Sequence, residues 1–191
     1  MTDQTYFPLP DNLPVPEDDG AARHLTGMGV PPVSLPSTAG RDVNLAALGS
    51  GRVVLYLYPM TGTPGVPLLS GWDDIPGARG CTPESYGFRN LYPEFQALEV
   101  GVLGGSTQTL EEQKEAKRRL ALPFDLVADD NLSLARALAL PTFEVEGRVM
   151  LKRLTLVLKD GRIEHVFYPI FPPDKHAGEV IDWLRTHPAA G

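Results

Sequence analysis

Cys81 is the one residue in this sequence of 191 whose type and setting together point to nucleophilic chemistry. It follows Gly80 and precedes Thr82 and Pro83, which suit the N-cap and the first position of a helix. The unpaired N–H groups and the partial positive charge of a helix N-terminus favour a thiolate over a thiol. A lone cysteine is also, in many proteins, a small buried apolar residue, and that alternative stays open on composition alone.

The charge at a helix end is too small to activate a thiol by itself. Lowering the pKa of a thiol from ~8.5 to about 6 requires roughly 3.4 kcal/mol. A helix N-terminus typically contributes ~0.3–1 kcal/mol and seldom more than ~2 kcal/mol. We therefore expect a guanidinium group or several hydrogen bonds beside a reactive Cys81.

The segments before Cys81 are a buried strand and a long irregular loop. Residues 52–58 form a nearly continuous apolar run, typical of a strand buried on both faces of a sheet, and Pro59 ends it. Residues 60–80 contain five glycines and three prolines, which excludes a helix. Loops of this length in compact domains are usually functional or disordered.

The segments after Cys81 alternate between helices and strands and end in a hairpin. Pro93 should kink or divide the first helix, and Thr109 with Glu112 forms a capping box. The predicted elements are strands at 33–35, 43–45, 100–104, 123–127, 154–158 and 163–167, and helices at 82–95, 109–120, 132–140 and 175–185. This order predicts an α/β domain with a mixed central sheet, helices on both faces and an N-terminal β-hairpin.

Residues 1–32 differ in composition from the rest of the chain. They contain six of the 19 prolines and mostly acidic charges, which indicates an irregular arm. This arm is either a solvated tail or a packing arm that uses Tyr6, Phe7 and Leu9. We expect one domain from residue 33 to residue 191.

Net charge and apolar patterning narrow the classes of function. The formal net charge of −7 argues against a nucleic-acid backbone or an anionic membrane surface as the main partner. The sequence shows no export signal, no long apolar segment and no metal-ligand spacing among its histidines. We expect a cytoplasmic protein without a metal or cofactor, and we interpret His165 and His176 as structural residues.

Three segments together resemble a known family. They are residues 53–59, residues 80–85 with Phe88 and Arg89, and the strand 153–163, and their order and separation also match. They resemble the peroxiredoxins, most closely the Q-type branch, also called the bacterioferritin-comigratory-protein type. The resemblance covers roughly residues 30–187 and implies a thioredoxin-like fold and thiol-dependent reduction of hydrogen peroxide or organic hydroperoxides.

The resemblance also implies roles for particular residues. Cys81 would be the peroxidatic cysteine, whose thiolate attacks the O–O bond and becomes a sulfenic acid. Arg153 would supply the cationic stabilisation that the helix end lacks. Glu84 would orient an arginine, and it would line the substrate pocket together with Pro59 and Gly80.

The sequence departs from the family pattern P-x-x-x-T-x-x-C between the threonine and the cysteine. Pro59 fits the first position and Thr63 the fifth, but Val66 occupies the cysteine position and Cys81 follows 15 residues later. We interpret this difference as an insertion. The hydroxyl that contacts the peroxide would be Thr63, by spacing, or Thr61.

The second departure concerns how the oxidised cysteine is reduced. Many Q-type members have a resolving cysteine five residues after the first, where this chain has Tyr86. With one cysteine, the hypothesis is a peroxidase regenerated by an external thiol, either a small thiol or a thioredoxin- or glutaredoxin-like protein, acting as a monomer or homodimer. The alternative is a redox sensor or thioredoxin-fold interaction protein in which Cys81 is oxidised without turnover.

Overall fold

Nine strands and five α-helices make up the part of the chain, residues 9–189, that the computed structural model describes. The strands are β1 Ser34–Leu35, β2 Val43–Asn44, β3 Arg52–Leu57, β4 Val100–Ser106, β5 Asp125–Ala128, β6 Thr142–Val145, β7 Arg148–Leu151, β8 Leu154–Lys159 and β9 Arg162–Phe167. The helices are α1 Cys81–Asn90, α2 Tyr92–Ala97, α3 Leu110–Arg119, α4 Ser133–Ala137 and α5 His176–Thr186. None of the helices in the described residues is long and apolar enough to cross a membrane.

Five of the strands form a mixed central sheet in the order β5-β4-β3-β8-β9. Strands β3, β4 and β5 are parallel, whereas β8 pairs antiparallel with both β3 and β9. Parallel neighbours place their carboxyl ends at the same edge of the sheet. The segments after β3 and β4 therefore start at this edge. Because β8 runs antiparallel to β3, the segment before β8 ends at the same edge.

Apolar side chains alternate between the two faces of β3, and each face has its own core. Val54 and Tyr56 pack with residues of α1, α2, α3 and α5, whereas Leu55 and Leu57 pack with α4 and the N-terminal hairpin. Helices on both faces and the predicted α/β class are confirmed. This arrangement buries β3 on both sides, which is why its sequence is continuously apolar.

Most predicted elements are present within a few residues of their predicted bounds. Pro93 divides the first helix into α1 and α2, and Thr109 closes the capping box at the start of α3. The hairpin of β6 and β7 is absent from the elements predicted by the sequence; it turns at Glu146 and Gly147, both with positive φ. Glu–Gly is a weaker hairpin signal than Asn–Gly or Asp–Gly, and this explains the omission.

The arm contacts the domain over much of its described length. Ala22, Leu25 and Val30 are buried in the same core as Leu55 and Leu57 of β3. The Asp19 carboxylate accepts hydrogen bonds from Lys152 and Tyr168. Tyr6 and Phe7, which the packing-arm alternative uses, lie outside the described residues. The division of the chain at residue 32 stays a prediction.

Candidate active site

Cys81 is the first residue of α1, and the residue before it determines this position. Gly80 is the N-cap, with φ of 114°, and the first helical hydrogen bond runs from the Glu84 N–H to the Gly80 carbonyl at 3.0 Å. The predicted N-cap, Thr82, is wrong by two residues, because the left-handed glycine starts the helix earlier. Pro83 is tolerated at the third position, where a helix needs no N–H donor.

Glycine is also the only residue type that fits at position 80. A Cβ atom on Gly80 would overlap the Pro173 side chain and would lie 3.2 Å from Leu9 Cδ2. A positive φ of this size is in addition strained for any residue with a Cβ. The backbone before Cys81 is thus held between the N-terminal arm and the turn that precedes α5.

Arg153 places its guanidinium group against the Cys81 sulfur. Its second terminal nitrogen lies 3.2 Å from Cys81 Sγ and 3.1–3.4 Å from the carbonyl oxygens of residues 77–79. The guanidinium side chain is 1% exposed. A planar cation bonded to a row of carbonyls has little freedom to move. The resemblance assigned a cation to this position, and the structure brings the two side chains together.

Glu84 holds the other terminal nitrogen of Arg153. Glu84 Oε2 accepts a hydrogen bond from Arg153 Nη1, and the carboxylate is completely buried. Two buried atoms of this pair, Glu84 Oε1 and Arg153 Nε, have no hydrogen-bond partner. Buried polar atoms without partners are rare and costly, and they concentrate where function requires them.

Opposing influences act on the pKa of the Cys81 thiol. Burial raises it, Arg153 lowers it and Glu84 raises it again, while a backbone hydrogen bond from Met60 lowers it. The net direction is upward from the ordinary value. Burial raises the pKa of the Glu84 carboxyl as well, although Arg153 counteracts this effect. One guanidinium group therefore serves two acids that each ionise less readily than in water.

The two threonines that were candidates for a peroxide contact occupy different environments. Thr61 is buried, and its hydroxyl donates to Gln108 Oε1 at 3.2 Å, while its N–H donates to the same atom at 2.9 Å. Thr63 is exposed at the surface of the loop. Pro59 is buried directly before this loop.

Gln108 is the residue of this region that sequence reasoning missed. It follows β4 and binds the loop after β3, and both strands end at the same edge of the sheet. The available signal was topological, because polar residues that follow adjacent parallel strands converge there.

The loop 60–80 has an apolar core of its own. Trp72, in a single 3₁₀ turn Trp72–Asp74, packs near Phe143 and is buried with Ala78 and Met150. The missed hairpin of β6 and β7 supplies two of these partners. The loop 60–80 is thus folded onto the domain, and it fixes Ala78, whose carbonyl lies near Cys81 Sγ.

The described residues contain no group of three or more histidine, cysteine or acidic side chains placed to hold a metal ion. The chemistry that this arrangement can perform is that of a single sulfur nucleophile beside a fixed cation. The guanidinium group can stabilise negative charge on the sulfur and on an oxygen atom bound next to it.

Comparisons with known proteins agree with this geometry. The sequence model described as Redoxin matches residues 25–181. Peroxiredoxin Bcp of Escherichia coli is 29% identical over 82% of this chain and 93% of its own length. Chloroplastic peroxiredoxin Q of Oryza sativa is 26% identical over 95% of this chain and 79% of its own length.

Solved structures show the same fold. The crystal structure of peroxidoxin BcpB from Mycobacterium tuberculosis has a TM-score of 0.69 and 28% sequence identity, covering 85% of this chain and 98% of its own. A peroxiredoxin Q structure from Xanthomonas campestris, at 24% identity and a TM-score of 0.66, covers 82% of this chain and 92% of its own. The central mixed sheet with its flanking helices is thioredoxin-like.

Proposed function

Since this chain belongs to the Redoxin family and is a Q-type peroxiredoxin, a thiol-dependent peroxidase, we propose that Cys81 is its peroxidatic residue. The observation that carries the assignment is the 3.2 Å contact between Arg153 Nη2 and Cys81 Sγ at the start of α1. Cys81 is also the only sulfur nucleophile that the sequence contains.

The first half-reaction is a displacement at oxygen. The Cys81 thiolate attacks one oxygen of the hydroperoxide, an S–O bond forms, and the O–O bond breaks. The departing oxygen leaves with the electron pair of the broken bond and takes a proton, giving water or an alcohol. Arg153 stabilises the thiolate before the attack and the negative oxygen during it.

The second half-reaction requires a thiol from outside the chain. Tyr86 occupies the position of a resolving cysteine, and its ring stacks against the Arg89 guanidinium at 4.4 Å. An external thiol attacks the sulfenic acid, which releases water and leaves a mixed disulfide, and a second thiol then frees Cys81. We infer a small thiol or a thioredoxin- or glutaredoxin-like protein as this reductant.

Thr61 is the better supported of the two candidate hydroxyls. Its side chain is buried and its hydroxyl donates to the Gln108 amide oxygen, whereas Thr63 is exposed. Thr61→Val and Thr63→Val form a matched pair, and we expect only the first to slow the reaction with peroxide. Equal rates of reaction with peroxide in the two variants would show that Thr61 does not contribute to the site.

A screen of reductants in a peroxide-consumption assay tests the proposed function. The purified chain, hydrogen peroxide or cumene hydroperoxide, and either dithiothreitol, glutathione or thioredoxin with its reductase should give repeated turnover with at least one reductant. Cys81→Ser should consume no peroxide beyond the uncatalysed reaction of each thiol. A single stoichiometric oxidation with every reductant would instead indicate a sensor, and unchanged turnover in Cys81→Ser would refute the assignment.

The need for an external thiol also bears on where the protein works. A peroxidase that is regenerated by an external thiol requires a reducing compartment, which supports the proposed cytoplasmic location. Sedimentation of the reduced and oxidised chain distinguishes the monomer from the homodimer.

A further inference from the structure

Thr61 and Cys81 lie on different segments, so no local spacing fixes the hydroxyl of one relative to the sulfur of the other. They are twenty residues apart, Thr61 in the loop after β3 and Cys81 at the start of α1. A group that positions a substrate has to keep its place to within about 0.5 Å, because small displacements of such groups cost large factors in rate. A hydroxyl with this task therefore needs an anchor elsewhere in the chain.

Gln108 binds every polar group of Thr61. Its Oε1 accepts hydrogen bonds from the Thr61 N–H at 2.9 Å and from the Thr61 hydroxyl at 3.2 Å, and its Nε2 donates to the Thr61 carbonyl at 3.3 Å. Both residues are buried. The backbone and the side chain of Thr61 are thus held by one planar amide, which fixes the direction of the hydroxyl as well as its place.

The backbone of Thr61 determines which way these hydrogen bonds run. A backbone N–H can only donate and a backbone carbonyl can only accept, so the oxygen of the Gln108 amide faces the N–H and its nitrogen faces the carbonyl. With that oxygen as its partner, the Thr61 hydroxyl gives its single hydrogen to Gln108. The lone pairs of the hydroxyl stay available as acceptors, and a hydroperoxide has an O–H group to donate to them.

Gln108 is itself held by a buried network of hydrogen bonds. Ser106, the last residue of β4, accepts from the Gln108 N–H and from Gln113 Nε2, both at 3.1 Å, and its hydroxyl donates to Gln108 Oε1 at 3.3 Å. Gln113 of α3 also donates to the Val127 carbonyl at 2.9 Å and accepts from the Tyr58 hydroxyl at 2.6 Å. A buried polar network whose members are satisfied is rigid, so the Gln108 amide has a fixed place.

The chain on the other side of Thr61 leads to the Cys81 sulfur. Met60, directly before Thr61, packs against the apolar core of the loop, which includes Ala78. The Cys81 thiol donates to the Ala78 carbonyl with Sγ at 3.6 Å, and the Met60 N–H donates to Cys81. Thr61 is thus anchored next to a backbone contact of the nucleophile.

We propose that Gln108 is a positioning residue for the reaction with peroxide, which holds the Thr61 hydroxyl so that its lone pairs accept the O–H of the hydroperoxide. The proposal rests on the proposed function, in which Cys81 attacks the peroxide and Thr61 contacts it. Gln108 acts through Thr61 and carries no charge. Its loss should therefore slow the attack on the O–O bond and leave the formation of the thiolate unchanged.

Stopped-flow kinetics of Gln108→Met in the full chain tests this role. Methionine has a similar length but cannot replace the hydrogen bonds, and we expect the rate of reaction with hydrogen peroxide to fall about tenfold. Gln113→Met is the matched control, because Gln113 is a buried glutamine of the same network whose amide binds Ser106 and the Tyr58 hydroxyl instead of Thr61. It should lose a comparable amount of melting temperature and keep a peroxide rate within about threefold of wild type. A wild-type peroxide rate in Gln108→Met, or an equal loss in both variants, would overturn the proposal.

Alkylation of Cys81 by iodoacetamide across pH measures thiolate formation without any peroxide. Because no charged group changes, Gln108→Met should keep its alkylation midpoint within about 0.3 pH unit of wild type. A peroxide rate that fell only in proportion to the alkylation rate would place the effect on the thiolate and contradict the proposal.

The double variant with Thr61→Val tests whether Gln108 acts through Thr61. In the Thr61→Val background the hydroxyl is already absent, so Gln108→Met should slow the reaction with peroxide by less than about twofold. A further tenfold loss would show that Gln108 acts by another route.

The conservative variant Gln108→Glu provides a rescue that depends on pH. A protonated carboxyl has one acceptor and one donor, as the amide has, so it can make the same hydrogen bonds to Thr61. Burial raises the pKa of a carboxyl above its ordinary value of about 4.3, so this variant is protonated at about pH 5. Relative to the wild-type chain at the same pH, its peroxide rate there should exceed that of Gln108→Met by about tenfold. Equal rates in the two variants at that pH would contradict the proposal.

Failure of this proposal and failure of the proposed function give different results. If the unaltered chain forms no sulfenic acid at Cys81, both are wrong. If it forms one, and Gln108→Met forms it at the same rate, the proposed function stands and the role of Gln108 is disproved.

Discussion

Two arginine–glutamate pairs of this chain have the same chemistry and opposite construction. Arg52 and Glu164 meet through two hydrogen bonds, Nε to Oε2 at 2.7 Å and Nη2 to Oε1 at 2.6 Å, at the end of the sheet away from Cys81. Arg153 and Glu84 share one hydrogen bond and leave two buried atoms without partners. The first pair is saturated and partly exposed, and the second is incomplete and buried.

The difference shows what each pair is for. A bidentate pair at the edge of the core holds strands together and has no capacity left for a ligand. The Arg153 guanidinium, by contrast, is divided between Glu84, three carbonyl oxygens and the Cys81 sulfur. A buried ion pair with unpaired atoms is poor as a stabilising device, so its presence is better explained by reactivity.

Removal of the Arg153 cation should have the largest effect. We expect Arg153→Gln to slow the reaction of Cys81 with peroxide by about 100- to 1000-fold, the range typical for loss of a donor that stabilises developing charge. Stopped-flow measurement with limiting peroxide reports this rate. Because Glu84 is then left unpaired, Arg153→Lys is the companion variant. It keeps the charge but cannot bridge both partners, and a rate within threefold of wild type would show that the fork is irrelevant.

Neutralising Glu84 should separate thiol acidity from peroxide reactivity. Glu84 raises the pKa of the Cys81 thiol, so we expect Glu84→Gln to shift thiolate formation to lower pH. Arg153 is then less firmly oriented, and the rate with peroxide should fall by about tenfold. Iodoacetamide titration and stopped-flow kinetics on the same preparation measure both. A midpoint that moves to higher pH would reverse the assigned role of Glu84.

Breaking the saturated pair should affect stability and leave the chemistry intact. Arg52→Gln removes two charge-assisted hydrogen bonds to Glu164 and a third to the His187 carbonyl, and we expect a loss of about 1–3 kcal/mol in the free energy of unfolding. The peroxide rate of the folded variant should stay within twofold of wild type. Urea unfolding together with the kinetic assay checks both, and a large kinetic defect would erase the contrast between the two pairs.

A third arginine–glutamate pair marks the lower limit. Arg185 and Glu94 join α5 to α2, and their side chains are 54% and 42% exposed. Exposed pairs contribute ~0–1 kcal/mol, so Arg185→Gln should change the free energy of unfolding by about 0.5 kcal/mol or less, without a kinetic effect. Its urea unfolding curve, recorded beside that of Arg52→Gln, gives the comparison. A loss equal to that of Arg52→Gln would mean that burial does not distinguish these pairs.

The sequence predicted the fold through local patterns that tertiary packing reinforces. The apolar run of β3, the capping box at Thr109 and the hairpin at 154–167 each fulfil a periodicity or turn rule. The bounds of α1 were wrong because the left-handed Gly80, between Leu9 and Pro173, starts the helix. Those two contacts come from distant parts of the chain, and no local pattern contains them.

The residue types of the site were predictable from the sequence, but their hydrogen-bond pairing was not. The spacing and the resemblance indicated a cysteine, an arginine and a glutamate, and the structure brings them together. The unpaired Oε1 of Glu84 results from how α1 packs against the start of β8, and no local sequence pattern contains that contact.

The most direct test of the central claim is mass spectrometry of the reduced chain after one equivalent of peroxide, with dimedone present. Dimedone captures a sulfenic acid, whereas the four methionines, when oxidised, do not react with it. The account predicts one dimedone adduct per chain, located by peptide mapping at Cys81, and none in Cys81→Ser. Peroxide consumed without an adduct at Cys81, or an adduct-free chain with oxygen on a methionine, would contradict it.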